Sequence, residues 1–467
     1  MLMSIAWLLL FIYFAYASFS RPSWGVALYM LAFFAFPLSW WWGKQEFLGD
    51  ITSRWNLISA LILVAAVFTN DRFKLLEKDR KARTVFFLFL LYALNATAVH
   101  LFFANEPIRS YNNLQLMWKQ IGLALLIYLC IKEPEDLKII LMSIFIGSWY
   151  VAYEVVWNKR GKIIHGRLEG IIIPGAEHSN HLAGLMCLTL VLGGGMLFVG
   201  SRRVKLASFL SLPFVFDVIL RCTSRAAFLA LLAGGFRLYW ASSGRMRRFA
   251  NVAVVLALLA VWLQAKDPKI FDRFATTFVS EEERDASAQS RVDYTLAGLK
   301  MVSEHPLGSG GEAAFKSDLG STYIRHLGIE KYRAVHNGYV DIAAGWGVQG
   351  FLIYITAIFM AWRYMRQAVR YRSKIGQTKV AFVGVVIESA LITQLVVCAF
   401  NSTLDGEWFL WLVGIMLGYG RLHAPPSEVS PSVEPIEEQR HLSTQAHGGK
   451  NDAYNPYGEV AGSHALS

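Results

Sequence analysis

Apolar blocks about as long as a bilayer is thick recur along this chain, separated by short charged connections, and that repetition constrains the fold more than any motif. A hydrocarbon core of about 30 Å takes about 20 helical residues to cross. Blocks bounded by charge run at 1–19, 23–43, 54–70, 84–104, 114–131, 138–157, 181–200, 206–220, 225–241, 249–265, 337–362, 380–400 and 407–420. The expectation is an all-α, polytopic membrane protein of about 12–13 transmembrane helices. Of 467 residues, 55% are hydrophobic and 17% charged, against roughly 25% charged in an average soluble domain, which speaks against a water-soluble enzyme. The first block lacks a basic leader and a small-residue cleavage site, so it reads as a retained helix.

The net charge of +11 sits in short loops, which is the pattern of membrane topology and not of a nucleic-acid-binding face. Alternate loops carry Arg72, Lys74, Lys78, Arg80, Lys81 and Arg83; Lys132 and Lys138; Arg202, Arg203 and Lys205; Arg245, Arg247 and Arg248; and Arg363, Arg366, Arg370, Arg372, Lys374 and Lys379. These loops are expected in the cytoplasm, with the N-terminus outside and the C-terminus inside. The chain then divides into an N-terminal helix bundle (1–265), a large outer loop (266–336), C-terminal helices (337–421) and a disordered cytoplasmic tail (422–467). The tail is rich in Pro, Ser, Glu, Gln, Gly and His and lacks apolar periodicity.

A loop of roughly 70 residues is far longer than an ordinary connection. Within it Ser290 to Ser303 reads as a helix, with Val292, Leu296, Leu299 and Val302 on one face and Arg291, Asp293 and Lys300 on the other. The run His305-Pro306-Leu307-Gly308-Ser309-Gly310-Gly311 stops it, because proline disfavours helix before it and the glycines permit positive φ. The acidic run Glu281, Glu282, Glu283 and Asp285 reads as solvated loop surface.

Positive charge also stands on the side where the orientation rule does not want it. Lys159, Arg160, Lys162 and Arg167 follow the sixth block, and Arg221 and Arg225 precede the ninth. Arginine in a membrane segment is costly and points to a functional site holding something anionic. The alternative is that such side chains snorkel to headgroups or pair with an acidic neighbour. Arg221 and Arg225, four apart, share a face if that stretch is helical. His336 directly precedes Asn337 and the apolar run from Gly338. If Asn337 caps that helix, the positive helix end favours a neutral, proton-accepting imidazole; the alternative is an interfacial histidine without a role. Gly345, Gly347 and Gly350 read as close helix packing. His165, His178, His181, His305 and His326 show no metal-ligand spacing, and the four cysteines show no CxxC, so neither a metal nor a disulfide framework is expected. No GxSxG, Walker A or dinucleotide fingerprint is present.

The order of these features resembles the O-antigen ligase and O-antigen polymerase superfamily of bacterial membrane glycosyltransferases. It is carried by Arg167, then Ser179-Asn180-His181-Leu182-Ala183, Ser224-Arg225-Ala226-Ala227, Arg291, Glu304-His305-Pro306-Leu307-Gly308-Ser309-Gly310, and His336-Asn337 with Gly345-Trp346-Gly347-Val348-Gln349-Gly350. It covers roughly 107–420, and Arg21-Pro22-Ser23-Trp24-Gly25-Val26 looks like the exopolysaccharide or exosortase-associated branch. Before Asn180 the chain reads Pro174-Gly175-Ala176-Glu177-His178-Ser179, longer than the family's usual Pro-Asn pair. The resemblance implies a GT-C-like helical enzyme of the bacterial inner membrane with a periplasmic active site. Its implied reaction moves a glycan from an undecaprenyl-diphosphate carrier to an acceptor hydroxyl of a glycan, lipid or protein, with inversion and without cofactor or metal. A diphosphate leaving group calls for arginine forks, assigned to Arg225 and Arg291, then Arg167, with Arg221 and Arg273 behind them. His336 is the expected general base, supported by Asn337 and Asn180. A polymerase would use another carrier-linked glycan as acceptor. From a different class, a transporter or flippase of lipid-linked or anionic solutes would also need membrane cations, although no internal repeat is evident. An envelope-assembly scaffold would leave the arginines without a role.

Overall fold

The computed structural model describes residues 2–37, 40, 42, 54–164, 166–244, 247–248, 250–252, 254–255, 286–311, 315–327 and 334–425. The expected tail beyond 425, most of the block 249–265, Arg273 and the acidic run 281–285 lie outside the described residues. Met1–Pro425 form one unit. Twelve of its described helices occupy apolar blocks of the sequence. They are α1 (Leu2–Ser20), α2 (Ser23–Phe34), α3 (Trp55–Thr69), α5 (Arg80–Phe103), α6 (Pro107–Cys130), α7 (Pro134–Val156), α8 (Ser179–Val199), α9 (Arg202–Cys222), α10 (Arg225–Ala241), α13 (Gly338–Lys374), α14 (Thr378–Cys398) and α15 (Glu407–His423). A one-turn α4 (Lys74–Lys78) stands in a basic connection, and α11 (Ala286–Glu304) and α12 (Asp318–Ile324) belong to the long loop. Among the described residues six helices are long and apolar enough to cross a bilayer unaided: α1, α5, α7, α8, α13 and α14. The chain is an all-α polytopic membrane protein. Its described strands form one short hairpin, β1 (Lys162–Ile164) and β2 (Arg167–Glu169), with Ile164 opposite Arg167.

Several boundaries differ from the sequence expectation. Within the block 23–43, α2 ends at Phe34, with Pro37 just beyond, a residue that cannot donate to a continuing helix. Helix α13 runs past 362 to Lys374 because Ala361, Tyr364, Met365, Ala368 and Val369 continue a buried stripe at helical spacing. Leu422 and His423, expected in the tail, close α15, and Arg372 binds both of their carbonyls at 3.2 Å.

The basic connections meet at one end of the helices. Asp79 caps α5 through Ala82 N at 3.0 Å and accepts from Tyr128 at 3.0 Å and Tyr364 at 3.2 Å. Arg21 binds Asp136 at 2.6 Å and Glu133 at 2.9 Å, tying the α1–α2 turn to the start of α7. Deeper in the bundle, the buried Glu388 carboxylate accepts from Arg237, Arg366 and Trp362. A buried carboxylate needs such partners, since removing one leaves an uncompensated charge.

The long loop builds a small core of its own from Tyr294, Ala297, Met301, Phe315, Ile324 and Val335, packed on Val340 and Ala344 of α13. Helix α11 forms where expected but buries a different face. Tyr294, Ala297 and Met301 are interior, whereas Val292, Leu296 and Leu299 are 48%, 59% and 50% exposed. Tyr323 of α12 donates to Glu304 of α11 at 2.5 Å. Partial burial and the facing carboxylate push its phenol up to about 12, so it stays a donor at physiological pH.

The loop is locked to the bundle through a break in α13. Gly347 has φ 80° and ψ 163°, a region open essentially to glycine alone. The break strips Ala344, Gly345 and Trp346 of their helical partners, and other groups replace them. Ser309 N donates to Ala344 O at 3.0 Å, Gly310 N to Gly345 O at 3.0 Å, and Asn95 Nδ2 to Trp346 O at 2.8 Å. In return Val348 N donates to Pro306 O at 2.9 Å. Every buried backbone group needs a partner, and here the loop 306–310 supplies most of them. The glycines 345 and 347 therefore serve a backbone-to-backbone junction more than helix packing. Gly350 does pack on a neighbouring helix, where an added Cβ would lie 2.6 Å from Asn95 Nδ2.

A Cβ at Gly347 would lie 2.5 Å from Leu307 O, whereas Gly376, also at positive φ (78°), has nothing within 4 Å. Gly347→Ala is expected to cost more than the roughly 1–3 kcal/mol of backbone strain alone. Thermal unfolding in detergent checks this: Gly347→Ala lowers the melting temperature by more than Gly376→Ala.

Candidate active site

At the end of the bundle opposite the basic connections, a cavity of about 350 Å³ opens among α8, α10, α11, the hairpin and the turn after α14. Arg167, Arg225, Arg291 and His336 line it together with Asn180, Thr223, Ser224 and Thr295. Apolar lining comes from Ala226, Leu229, Val292, Leu296, Ala399 and Phe400. Among the described residues three guanidinium groups line this space.

Local structure explains how each cation arrives. Helix α9 ends at Cys222, and Thr223 takes a left-handed conformation at φ 46° and ψ 40°. Ser224 is the N-cap of α10 and Arg225 its first residue. The expected single helical face for Arg221 and Arg225 is therefore broken by Thr223. Arg221 ends on the other side of the turn, where it pairs with Asp217 at 2.5 Å and does not line the cavity.

Arg167 opens strand β2, which two side-chain bonds pin in place. Thr223 Oγ1 donates to Gly166 O at 3.2 Å, and Ser179 Oγ donates to Glu169 Oε1 at 2.8 Å. Leu168 between them is buried. The Nε of Arg167 is itself buried without a hydrogen-bond partner among the described residues. An orphaned buried donor of this kind carries a free-energy cost that a bound acceptor removes.

His336 is held at φ 59°, a conformation uncommon for a residue with a Cβ and costing roughly 1–2 kcal/mol. Its ring lies 6.0 Å from the Tyr294 ring of α11. Asn337 caps α13 by accepting from Tyr339 N at 3.1 Å and Val340 N at 3.3 Å. The cap conditionally expected from the sequence is present. Three helices, α8, α10 and α13, thus begin at this cavity, and the positive ends of helix dipoles add to its field. The arrangement sets three guanidinium groups beside an imidazole and is chemically able to accept an anion.

Thr223, Thr295, Ala399 and Phe400 were not singled out from the sequence, whereas Ser224 stands in a motif that was. Thr223 could have been: a β-branched residue between two arginines four apart marks a possible helix interruption. Ala399 and Phe400 end an apolar block and carry no distinguishing signal. Of the expected site residues, Arg167, Asn180, Arg225, Arg291 and His336 share the cavity, Asn337 caps the adjoining helix, Arg221 stands apart and Arg273 lies outside the described residues. Among the described residues no three His, Cys, Asp or Glu side chains are grouped as a metal site.

Residues 210–355 match the family described as O-antigen ligase. That stretch contains Thr223 to Leu229, Arg291 to Leu296 and His336, while Arg167, Asn180 and Phe400 reach the cavity from outside it. No curated protein matches the chain. The family implies a ligase-type or polymerase-type glycosyltransferase with a lipid-linked glycan donor and a glycan acceptor. Residues 210–355 thus carry an O-antigen ligase domain, which supports membership of the O-antigen ligase superfamily.

Proposed function

We propose that this cavity is the active site of a metal-independent glycosyltransferase that moves a glycan from an undecaprenyl-diphosphate carrier to an acceptor hydroxyl at the periplasmic face of the bacterial inner membrane. The observation that carries the reading is three arginines and a histidine at positive φ brought around one cavity from four separate chain segments. Arg167, Arg225 and Arg291 hold the diphosphate; Arg221, paired with Asp217, takes no part. The acceptor oxygen attacks the anomeric carbon while His336 takes its proton, and the bond from that carbon to the phosphate oxygen breaks. The leaving diphosphate keeps the electron pair, and the guanidinium groups stabilise the charge it gains. Attack opposite the leaving group inverts the carbon. Asn180 and the Asn337 cap orient the surroundings.

The exposed stripe Val292, Leu296 and Leu299 on α11, with Leu229 of α10 at 49% exposure, suits the polyprenyl chain. Val292, Leu296 and Leu229 line the cavity itself, so a lipid tail can lie on apolar side chains while its headgroup meets the arginines. Ligase and polymerase share this chemistry and differ in the acceptor.

Transfer from a mixed pool of undecaprenyl-diphosphate oligosaccharides, with products read by mass, tests the reading. Wild-type protein transfers with or without excess EDTA. His336→Ala and Arg225→Gln each lose at least about a hundredfold, the low end for a general acid–base group. Undiminished transfer by His336→Ala would remove the histidine as base.

His336→Gly separates strain from chemistry. It is expected to be inactive yet to melt above His336→Ala, because glycine accepts the left-handed backbone that alanine does not. Thr223→Val keeps the side-chain shape but removes the bond to Gly166 O. It should raise donor KM several-fold, with Thr223→Ser restoring it.

A further inference from the structure

A second cavity, of about 110 Å³, is lined by Asn113, His181, Asp341, Trp346, Ser402 and Asp405. Its chemistry is the reverse of the first. Among the described residues two carboxylates and the ammonium of Lys316 line it, where three guanidinium groups line the first. The hydroxyl of Ser402 is buried without a hydrogen-bond partner among the described residues, and Trp346 contributes an aromatic ring. Carboxylate, amide and hydroxyl groups around an indole match a polyhydroxylated ring, which presents hydroxyl hydrogens to acceptors and C–H groups to an aromatic face. The volume corresponds to a few waters at roughly 30 Å³ each, enough for the hydroxyl edge of one sugar and too little for an oligosaccharide.

The two cavities share walls. Asn180 lines the first and His181 the second; His336 lines the first and Ala334 the second; Phe400 lines the first and Ser402 the second. Successive Cα atoms are 3.80 Å apart, so on three separate chain segments the walls lie one or two residue steps from each other. His336 stands on one of those shared segments.

Resting on the glycosyltransferase reading, we propose that the second cavity binds the terminal sugar of the acceptor, an uncharged ring held by Asp341, Asp405 and Ser402 and packed on Trp346. Its reacting hydroxyl is directed across the shared wall to His336. Opposite lining charges then sort the substrates: diphosphate to the arginines, neutral sugar to the carboxylates.

Saturation-transfer NMR on the full chain in detergent tests the site apart from catalysis. The probes are free neutral hexoses, N-acetylhexosamines and a heptose, with glucose 6-phosphate and a uronic acid as anionic counterparts. The expected result is signal from a neutral sugar and none from its anionic counterpart. That signal is lost in Asp405→Asn and in Ser402→Ala and kept in Arg225→Gln. In the transfer assay Asp405→Asn raises acceptor KM roughly tenfold, as for a lost hydrogen bond to a charged group, with donor KM unchanged. Matched melting temperatures establish that each variant is folded, and Ser402→Ala, which removes one hydroxyl, carries the test if Asp405→Asn does not fold. No sugar signal in the wild type, equal signal from anionic sugars, or signal indifferent to both substitutions would overturn the proposal. Sugar binding with this variant pattern but no glycan transfer would leave the site standing and sink the transferase reading instead.

Discussion

Three guanidinium groups line one cavity, and a backbone feature sets each of them there: the first position of α10, the first position of a pinned strand, and the second turn of α11. Helix N-termini beside them add to the positive field. Under the proposed function, positions fixed in this way are the preorganisation that charge-separating chemistry needs.

The position of α11 depends in turn on the break at Gly347. The outer segment is not covalently close to the arginines of the hairpin or of α10. It is brought there because its loop 306–310 replaces the hydrogen bonds that α13 loses. The same loop reaches the α5–α6 junction, where Asn105 N donates to Ser309 O at 3.0 Å. Small residues are required throughout: a Cβ at Gly308 would lie 2.5 Å from Gly347 N, and one at Gly310 2.9 Å from Ser110 Oγ. A backbone junction of this kind fixes the register of the outer segment over the bundle, so Arg291 and His336 approach from two sides of one loop.

The site was partly legible before folding was considered. Arginines on the face where the orientation rule disfavours them, and a histidine before a capping asparagine, have local chemical reasons to stand out. Arg221 looked equivalent to Arg225, yet one left-handed residue between them sends the first to an ion pair with Asp217 and the second to the cavity. The apolar stripe of α11 was visible, but its exposure was not, because periodicity reports a face and not what covers it. Phe400, Asp341 and Asp405 gave no signal, since the cavities they line are completed by other, distant chain segments.

The sequence by itself determined that the chain crosses a membrane repeatedly, which connections lie together, and that cations stand on the face where the orientation rule disfavours them. Block length, loop charge and the cost of burying arginine are local quantities, and they survive any rearrangement of the helices. Only the tertiary structure decided which arginines meet, that a glycine break binds the outer segment to the bundle, and that a carboxylate-lined cavity adjoins a cationic one. Those facts depend on contacts between distant segments, and the energy of such contacts is not written in any stretch of residues taken alone.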